Sequence, residues 1–310
     1  MAHYTFYQLD VFTRKPLCGN PLAVFPYADG LDSGTMQALA REMNLSETTF
    51  VTPSLNATRK IRFFTPTAEI PLAGHPTIGT WWLLAELGQV AVPRDGSLEV
   101  TQETGRGVLP VRLEASGGAL RRVIMSQPLP EWGPAVERVE PLARALGCPA
   151  AALVNRPPPQ VVCTALPQLM VQLENEAILG ELPSGGAGSE LAALLRSYGT
   201  DCVMCFCADR GRDETPEPKT VVKARMFAPG LGVPEDPATG SAAGALGCYL
   251  VRHGLATPKD GKAAILVLQG REIGRPSEIE VEIGLAPNGE IDSVLVGGAA
   301  VTVIRGEVRL

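Results

Sequence analysis

The sequence predicts an α+β protein with two halves, each a curled sheet wrapped around one buried helix. Three observations support this prediction. Short β-type runs recur throughout the chain, two stretches about half a chain apart match each other, and each of those stretches leads into an apolar helix. Many strands with one enclosed helix per half are typical of an α+β fold.

The two matching stretches share the order Phe-x-Pro, a short spacer and Glu-x-Pro-x-x-Gly. The first covers residues 64–74 and the second, with a longer spacer, covers residues 227–240. A repeat at this distance indicates two related halves and not a short-period solenoid. Each stretch precedes a helix, so it also predicts two similar helix N-termini whose backbone N–H groups can bind an anion. We expect the active site in the cleft between the two halves.

Strands and helices of the first half follow from hydrophobic periodicity. Asp32 and Ser33 are suited to cap a helix whose apolar residues recur at helical spacing from residue 36 to residue 43. The apolar run that follows Pro76 shows no polar face and predicts an enclosed helix over residues 76–87. Alternating or β-branched runs predict strands at residues 4–12, 22–25, 48–52 and 59–64.

The second half repeats this order, with a strand at residues 221–227 and a helix at 241–251 whose small residues predict close packing of strands around it. We predict the boundary between the halves at residues 116–118 and a charged turn at residues 209–219. Residues 131–200 show weaker hydrophobic patterning. Further strands are predicted at residues 98–102, 108–114, 121–125, 264–268, 278–283, 293–297 and 300–304.

Composition excludes several classes of protein. With 310 residues, 45% of them hydrophobic, the chain can form about two domains with buried cores. A net charge of −6 and the lack of Lys/Arg-rich runs argue against nucleic acid as a partner. No apolar run reaches the ~18 residues of a membrane span, and no signal peptide is recognisable. We therefore expect a cytoplasmic protein that binds neither nucleic acid nor membrane.

The seven cysteines are expected to be reduced thiols, because their number is odd and they are scattered along the chain. Residues 202–207 contain three of them but lack the fourth ligand of a structural zinc site, so we predict a buried strand there. The chain also lacks a Walker A motif, a dinucleotide-binding G-x-G-x-x-G, a G-x-S-x-G elbow and H-E-x-x-H. We expect no metal and no cofactor.

Three polar residues at the two helix starts are candidates for chemistry. His75 precedes Pro76 and could transfer protons near neutral pH, although a histidine there could also only bond a loop carbonyl. Asp236 and Ser241 occupy the matching place in the second half, where they could bind substrate or simply cap the helix. Composition and spacing do not distinguish Glu47 from the other acidic residues.

Taken together, several motifs resemble the PhzF family of phenazine-biosynthesis isomerases and their relatives over nearly the whole chain. The motifs are Asp10-Val11-Phe12-Thr13, Gly19-Asn20-Pro21-Leu22-Ala23-Val24, Glu42-Met43-Asn44-Leu45-Ser46-Glu47-Thr48, Phe64-Thr65-Pro66, Gly74-His75-Pro76-Thr77, Met125-Ser126-Gln127-Pro128, Glu235-Asp236-Pro237-Ala238-Thr239-Gly240-Ser241-Ala242, Gln269-Gly270-Arg271, Gly274-Arg275-Pro276-Ser277 and Val296-Gly297-Gly298.

The resemblance implies a diaminopimelate epimerase-like fold. That fold has two pseudo-symmetric halves, each a barrel-like, mostly antiparallel sheet around a central helix. The halves would be residues 1–118, completed by the last strands at about 293–310, and residues 119–310. A homodimer is expected from the same resemblance.

The resemblance also assigns roles to residues. It implies that Glu47 is the proton-transferring carboxylate, with His75 and Asp236 as further catalytic groups. It places Gly74, Gly240 and Ser241 in the anion-binding cradle and Asn20 in the pocket wall.

Three functions are compatible with the sequence. The first is a cofactor-independent isomerase that moves a proton on a small carboxylate-bearing substrate, of which trans-2,3-dihydro-3-hydroxyanthranilate is the family's defined example. The second is an epimerase or racemase of an amino or hydroxy acid. A two-cysteine mechanism is disfavoured because Ala73 and Thr239 occupy the positions that thiols would need. The third is a non-catalytic small-molecule or protein-binding module on the same fold.

Overall fold

The computed structural model describes residues 2–208 and 219–310. The chain forms two compact units: unit 1 is Met1–Ser126 with Gly297–Leu310, and unit 2 is Gln127–Val296. The boundary predicted at residues 116–118 falls at the turn between two strands of unit 1. Most of the charged turn predicted at 209–219 lies outside the described residues.

The helices and strands confirm the α+β class predicted from the sequence. The first part of unit 1 contains β1 (His3–Val11), β2 (Asn20–Phe25), α1 (Ser33–Met43), β3 (Thr48–Thr52), β4 (Arg59–Phe64), β5 (Glu69–Ile70), α2 (Gly74–Glu86), β6 (Gly96–Thr104), β7 (Gly107–Ser116) and β8 (Ala119–Gln127). The rest of the chain forms β9 (Glu131–Ala135), α3 (Glu140–Leu146), β10 (Gln160–Cys163), β11 (Pro167–Gln172), α4 (Glu176–Glu181), α5 (Ser189–Ser197), β12 (Val203–Ala208), β13 (Thr220–Ala228), β14 (Val233–Asp236), α6 (Gly240–Arg252), β15 (Lys262–Gln269), β16 (Ser277–Leu285), β17 (Ile291–Gly298) and β18 (Ala300–Arg309).

Strand pairing repeats between the two units. In unit 1, β2 is parallel to β3, β3 is antiparallel to β4, β4 pairs antiparallel with β5 and parallel with β6, and β6 is antiparallel to β7. In unit 2, β11 is parallel to β12, β12 is antiparallel to β13, β13 pairs antiparallel with β14 and parallel with β15, and β15 is antiparallel to β16. The same order of pairings in both units is the structural counterpart of the sequence repeat.

Unit 1 is completed by the two ends of the chain. Strand β1 pairs antiparallel with β2 on one side and with β18 on the other. The backbone N–H of Ala2 donates to the carbonyl of Leu310 at 2.8 Å, and the N–H of Leu310 donates to the carbonyl of Ala2 at 2.9 Å. The last strand therefore pairs directly with the first in the sheet of unit 1.

Each unit encloses one central helix, as predicted, and each of these helices, α2 and α6, has 13 residues. Helix α2 contacts β1, β2, β3 and β18, and Trp81 and Leu84 on it are fully buried. Helix α6 contacts β10, β11, β15 and β16. A Cβ on Gly244 of α6 would lie 2.1 Å from Oε1 of Gln127, so a larger residue there would displace the Gln127 amide.

Residues 131–200 contain three short helices that the sequence patterning did not reveal. Helices α3, α4 and α5 are 7, 6 and 9 residues long. So few residues give too short a run for a helical period to stand out. The buried strand predicted at residues 202–207 is confirmed as β12, whose first four residues are buried. It contains Cys205 and Cys207, and Cys202 lies just before it.

No helix in the described parts of the chain has both the length and the apolar character needed to cross a membrane.

Candidate functional site

Glu47 occupies the last position of the connection between α1 and β3. Helix α1 begins after Asp32, whose side chain accepts hydrogen bonds from the N–H groups of Gly34 at 2.8 Å and Thr35 at 3.0 Å, as the sequence predicts. The helix ends at Asn44, which adopts the left-handed conformation that asparagine tolerates. Thr48 then starts β3, which fixes the backbone beside Glu47 in the sheet.

Glu47 and His75 form a buried pair in unit 1. Oε2 of Glu47 lies 3.5 Å from Nε2 of His75, and the two side chains are 19% and 8% exposed. Oε2 of Glu47 is buried and accepts no hydrogen bond from the described residues. A distance of 3.5 Å is long for a hydrogen bond, and catalytic contacts of this kind often shorten only when substrate binds. The structure therefore brings together two of the three predicted catalytic residues.

Burial raises the pKa of Glu47 above its ordinary value of 4.5. The cause is desolvation, because a carboxylate loses favourable hydration when it leaves water. A hydrogen bond from the Ser46 side chain acts in the opposite direction and lowers the pKa of Glu47. A carboxylate with a raised pKa is a stronger base, which suits the removal of a proton from carbon.

A chain of hydrogen bonds anchors the first turn of α2, on which His75 lies. The hydroxyl of Thr77 donates to the carbonyl of Ala73 at 2.8 Å, and Nε2 of Gln102 donates to that hydroxyl at 3.4 Å. The indole Nε1 of Trp81 donates to Oε1 of Gln102 at 3.0 Å. Because Gln102 belongs to β6, this strand fixes the first turn of α2, which carries the His75 imidazole.

Gly74 and Asn20 also belong to unit 1. Gly74 is the first residue of α2, and the preceding Ala73 has no side chain that could accept a hydrogen bond from the helix N-terminus. Asn20 begins β2, is 1% exposed, and its Oδ1 lies 3.5 Å from the hydroxyl of Ser46. Asn20 is therefore close to the connection that bears Glu47. The anion-binding role predicted for Gly74 stays a prediction.

In unit 2, Asp236 ends β14 and is tied to the start of α6. The hydroxyl of Thr239 donates a short hydrogen bond to Oδ2 of Asp236. Nε2 of Gln269 donates to the carbonyl of Asp236 at 2.7 Å and to the Thr239 hydroxyl at 3.1 Å. The third predicted catalytic residue is thus part of a polar network at a helix N-terminus.

Gly240 and Ser241 form the first turn of α6. The side chain of the N-cap residue Thr239 makes no capping hydrogen bond, because it is directed to Asp236. Nε2 of Gln127 donates to the carbonyl of Gly240 at 2.9 Å, and the hydroxyl of Thr164 donates to Oε1 of Gln127 at 2.7 Å. These hydrogen bonds fix the N-terminus of α6. The substrate-binding roles of Gly240 and Ser241 stay predictions.

Sequence reasoning missed four residues of these networks. Gln102 and Thr164 lie outside any motif that would have drawn attention to them. Gln127 and Gln269 lie within quoted motifs, at Met125–Pro128 and Gln269–Arg271, but only their contacts show what they bond. The signal available in the sequence was that Gln127 and Gln269 are polar residues inside a motif but away from a helix start.

Comparison with known proteins gives a match over nearly the whole chain. The family model described as "Phenazine biosynthesis-like protein", PhzC-PhzF, matches residues 9–306. A trans-2,3-dihydro-3-hydroxyanthranilate isomerase from Pseudomonas chlororaphis is 37% identical over 313 residues and covers 100% of both chains. An uncharacterized isomerase from Clostridium acetobutylicum is 34% identical and covers 99% of this chain and 98% of its own.

Solved structures agree with this match. A phenazine biosynthesis protein of the PhzF family from Bacillus anthracis superposes with a TM-score of 0.88, at 27% identity and 100% coverage of both chains. A predicted epimerase from Pseudomonas aeruginosa has a TM-score of 0.76 at 32% identity, covering 98% of this chain and 99% of its own. A hydroxyproline epimerase from Agrobacterium vitis shares the fold, with a TM-score of 0.64 at 14% identity and coverage of 99% and 92%.

Proposed function

The chain belongs to the PhzC-PhzF family of phenazine biosynthesis-like proteins, and from this premise we propose that it is an isomerase that moves a proton on a small carboxylate-bearing substrate. We propose trans-2,3-dihydro-3-hydroxyanthranilate, or a close analogue, as that substrate. Relatives at 36–39% identity named for this reaction support the proposal. The observation that carries the mechanism is the buried Glu47–His75 pair.

In the proposed mechanism Glu47 removes a proton from one carbon and returns it to another carbon on the same face. The electron pair of the broken C–H bond moves through the conjugated system of the substrate, and the protonated Glu47 then supplies the proton at the second carbon. Substrate and product are isomers, so no other reactant is consumed. One carboxyl group can serve both steps, because it is the base in the first and the acid in the second.

His75 positions the carboxyl group of Glu47 and completes the pair. The imidazole lies on the first turn of α2, where Gln102 and Thr77 hold the helix start. Helix N-termini stabilise negative charge, and charge develops on the substrate as the proton leaves. The substrate-binding role predicted for Ser241 is tested by Ser241→Ala, which should increase KM. The catalytic role predicted for Asp236 is tested by Asp236→Asn, which should lower kcat.

The first experiment is proton NMR of trans-2,3-dihydro-3-hydroxyanthranilate in D₂O with the wild-type protein and Glu47→Gln. We expect turnover by the wild type and a loss of about 10²- to 10⁴-fold in kcat for Glu47→Gln, the usual contribution of a general acid–base group. The matched control is Glu42→Gln, because Glu42 is an exposed glutamate on the neighbouring helix α1. That control should keep wild-type turnover.

Each outcome identifies which part of the proposal fails. Near wild-type turnover by Glu47→Gln would show that Glu47 is not the base. A wild-type protein that leaves this compound unchanged would reject the substrate, and a panel of small amino and hydroxy acids would follow. Deuterium in the product would measure how far the abstracted proton exchanges with solvent before it is returned.

An epimerase or racemase is the second candidate, favoured by the likeness to the predicted epimerase from Pseudomonas aeruginosa. That reaction needs acid–base groups on both faces of the reacting carbon. Neither Ala73 nor Thr239 can supply a thiolate at the helix mouths. Polarimetry of the same panel in D₂O, together with proton NMR, decides the matter, since an epimerase would lose the configuration and incorporate deuterium at the same carbon.

A further inference from the structure

Unit 2 contains a polar cavity whose lining residues include none of the predicted catalytic residues. Its volume is about 560 Å³. That volume falls within the range of about 300–1,000 Å³ that is usual for small-molecule sites. The cavity adjoins the ends of β11 and β12, and its apolar wall includes Val154, Leu173 and Leu255.

Four charged residues line this cavity, two of each sign: Arg156, Glu174, Glu176 and Lys223. Two of them are already neutralised. Nζ of Lys223 forms a close ion pair with Oε2 of Glu176, and Nη1 of Arg271 lies 3.1 Å from Oε1 of the same carboxylate. Both oxygens of Glu176 are therefore occupied.

Arg156 and Glu174 remain for a ligand. Across residues 2–208 and 219–310, neither side chain forms an ion pair or a hydrogen bond. Because they carry opposite charges without pairing with each other, the cavity offers a separate place for a negative and for a positive group. Arginine is suited to bind a carboxylate through two parallel hydrogen bonds.

A third polar group in the cavity also lacks a partner. Gln172 lines the cavity and is 8% exposed, and its Oε1 is buried without a hydrogen bond from the described residues. A buried carbonyl oxygen left unsatisfied costs about 1–3 kcal/mol, and such groups in native proteins call for an explanation. An ammonium group bound to Glu174 could donate to this oxygen as well.

We propose that this cavity binds a free α-amino acid with a small apolar side chain. The carboxylate pairs with Arg156, the ammonium group with Glu174 and Oε1 of Gln172, and the side chain packs on Val154, Leu173 and Leu255. A zwitterion fits because Arg156 and Glu174, the two charged lining residues without an ion pair in the described part of the chain, carry one charge of each sign. The site is separate from Glu47, and the proposal does not depend on the proposed isomerase activity.

The test is isothermal titration calorimetry of the full chain with L-valine and L-leucine at millimolar concentrations. We expect saturable binding with a Kd below about 1 mM. Isovalerate and isobutylamine, which keep one charged group each, should bind at least about tenfold more weakly, because a charge-assisted hydrogen bond is lost in each case.

Variants of the lining residues test where the amino acid binds. Arg156→Met and Glu174→Gln should each weaken binding about tenfold or more. Arg138→Met and Glu140→Gln are the matched controls, because these exposed residues belong to the same unit but not to the cavity, and they should leave the Kd unchanged. Glu47→Gln should also leave it unchanged. No saturable heat with either amino acid, equal binding of isovalerate, or binding that Arg156→Met and Glu174→Gln leave intact would each overturn the proposal.

Discussion

At the scale of the residue, the protonation of Glu47 is set by its burial. The side chain is only 19% exposed, and desolvation raises its pKa above 4.5. The group therefore differs from a surface glutamate in two measurable ways, one in activity and one in stability.

The pH dependence of activity should reflect the raised pKa of Glu47. The base must be ionised to accept a proton, so kcat/KM should fall as the pH decreases through the pKa of Glu47. We expect the acidic limb of the kcat/KM profile at a pH above 4.5. A limb at or below pH 4.5 would contradict the role of burial.

The raised pKa of Glu47 should also make the free energy of unfolding depend on pH. Because the folded state raises the pKa of Glu47, it binds the proton more tightly than the unfolded state does. Stability from this group is present below the unfolded pKa and is lost as the pH rises through the folded pKa. In urea unfolding, the free energy of unfolding of Glu47→Gln should equal or exceed that of the wild type at pH 8. The difference between the two proteins should be smaller at pH 4. Glu42→Gln should show no such change between the two pH values.

At the scale of the element, the packing of α2 depends on a glycine in its middle. A Cβ on Gly79 would lie 2.6 Å from Cγ2 of Val11 and 2.7 Å from Cδ2 of Leu22. Those two side chains belong to β1 and β2, which pack against the helix. The helix therefore approaches the sheet more closely than alanine would allow.

Gly79→Ala should lower the free energy of unfolding by about 1–3 kcal/mol, because a methyl group forced into a packed core displaces its neighbours. The control is Gly180→Ala in α4, where a Cβ would meet nothing within 4 Å. That change should be neutral or stabilise by about 0.5–1 kcal/mol, since alanine favours a helix over glycine. Urea denaturation of both variants measures the difference, and equal effects at the two sites would contradict the packing argument.

The pair β13–β14, which leads to Asp236, is joined by a buried ion pair. Nε of Arg225 donates to Oε1 of Glu235 at 2.9 Å, and Nη2 donates to Oε2 at 2.6 Å. The two side chains are 3% and 2% exposed. Nη1 of Arg225 also donates to the carbonyl of Leu182 at 2.6 Å. Both charges are thus compensated inside the protein.

Arg225→Met should destabilise the protein by about 3–5 kcal/mol, because it leaves the Glu235 carboxylate buried without its partner. Arg225→Met combined with Glu235→Leu should recover much of that loss, since no buried charge remains. Lys262→Met is the control, as the Lys262–Glu282 pair is exposed and should contribute less than about 1 kcal/mol. If the single and double variants unfold at the same urea concentration, the ion pair is not the source of the effect.

At the scale of the whole molecule, the chain ends are adjacent. Ala2 and Leu310 exchange two backbone hydrogen bonds at the end of the β1–β18 ladder. A short linker should therefore join these two ends without strain. New ends can be opened at the turn between Gly117 and Gly118, where a Cβ would meet nothing within 4 Å.

We expect this circular permutant to fold, with the circular dichroism spectrum and the turnover of the wild type. A permutant opened inside α2, after Gly79, is the control, because it cuts a buried helix that packs against β1, β2, β3 and β18. It should not fold. A folded permutant opened in α2, together with an unfolded one opened at Gly117, would contradict this account of the fold.

The sequence predicted the two-half α+β fold because hydrophobic periodicity and the repeat both report on long elements. Strands β3 and β4 were predicted with the bounds that the structure shows, and the two central helices within one or two residues. The short helices α3 to α5 were missed, because their packing comes from tertiary contacts and not from periodicity.

Less of the candidate site than of the fold could be predicted from the sequence. His75 was noticed because it lies at a helix start, whereas Glu47 was found only through a family resemblance, since a single carboxylate in a loop has no local signature. Its burial and its distance to His75 depend on how α1 ends and β3 begins. The polar partners Gln102, Gln127 and Gln269 depend on side-chain contacts between distant parts of the sequence.

The matching order of strand pairings in the two units has an evolutionary consequence. Phe64 and Phe227 are equivalent in the repeat, and each pairs with the first residue of the neighbouring strand, β3 or β12. The residue before that strand is Glu47 in one unit and Cys202 in the other. Burial raises the pKa of Cys202 to about 12, so at neutral pH it is an uncharged thiol. If the units descend from one ancestral gene, they have since specialised, and at this position only one copy has an acidic side chain.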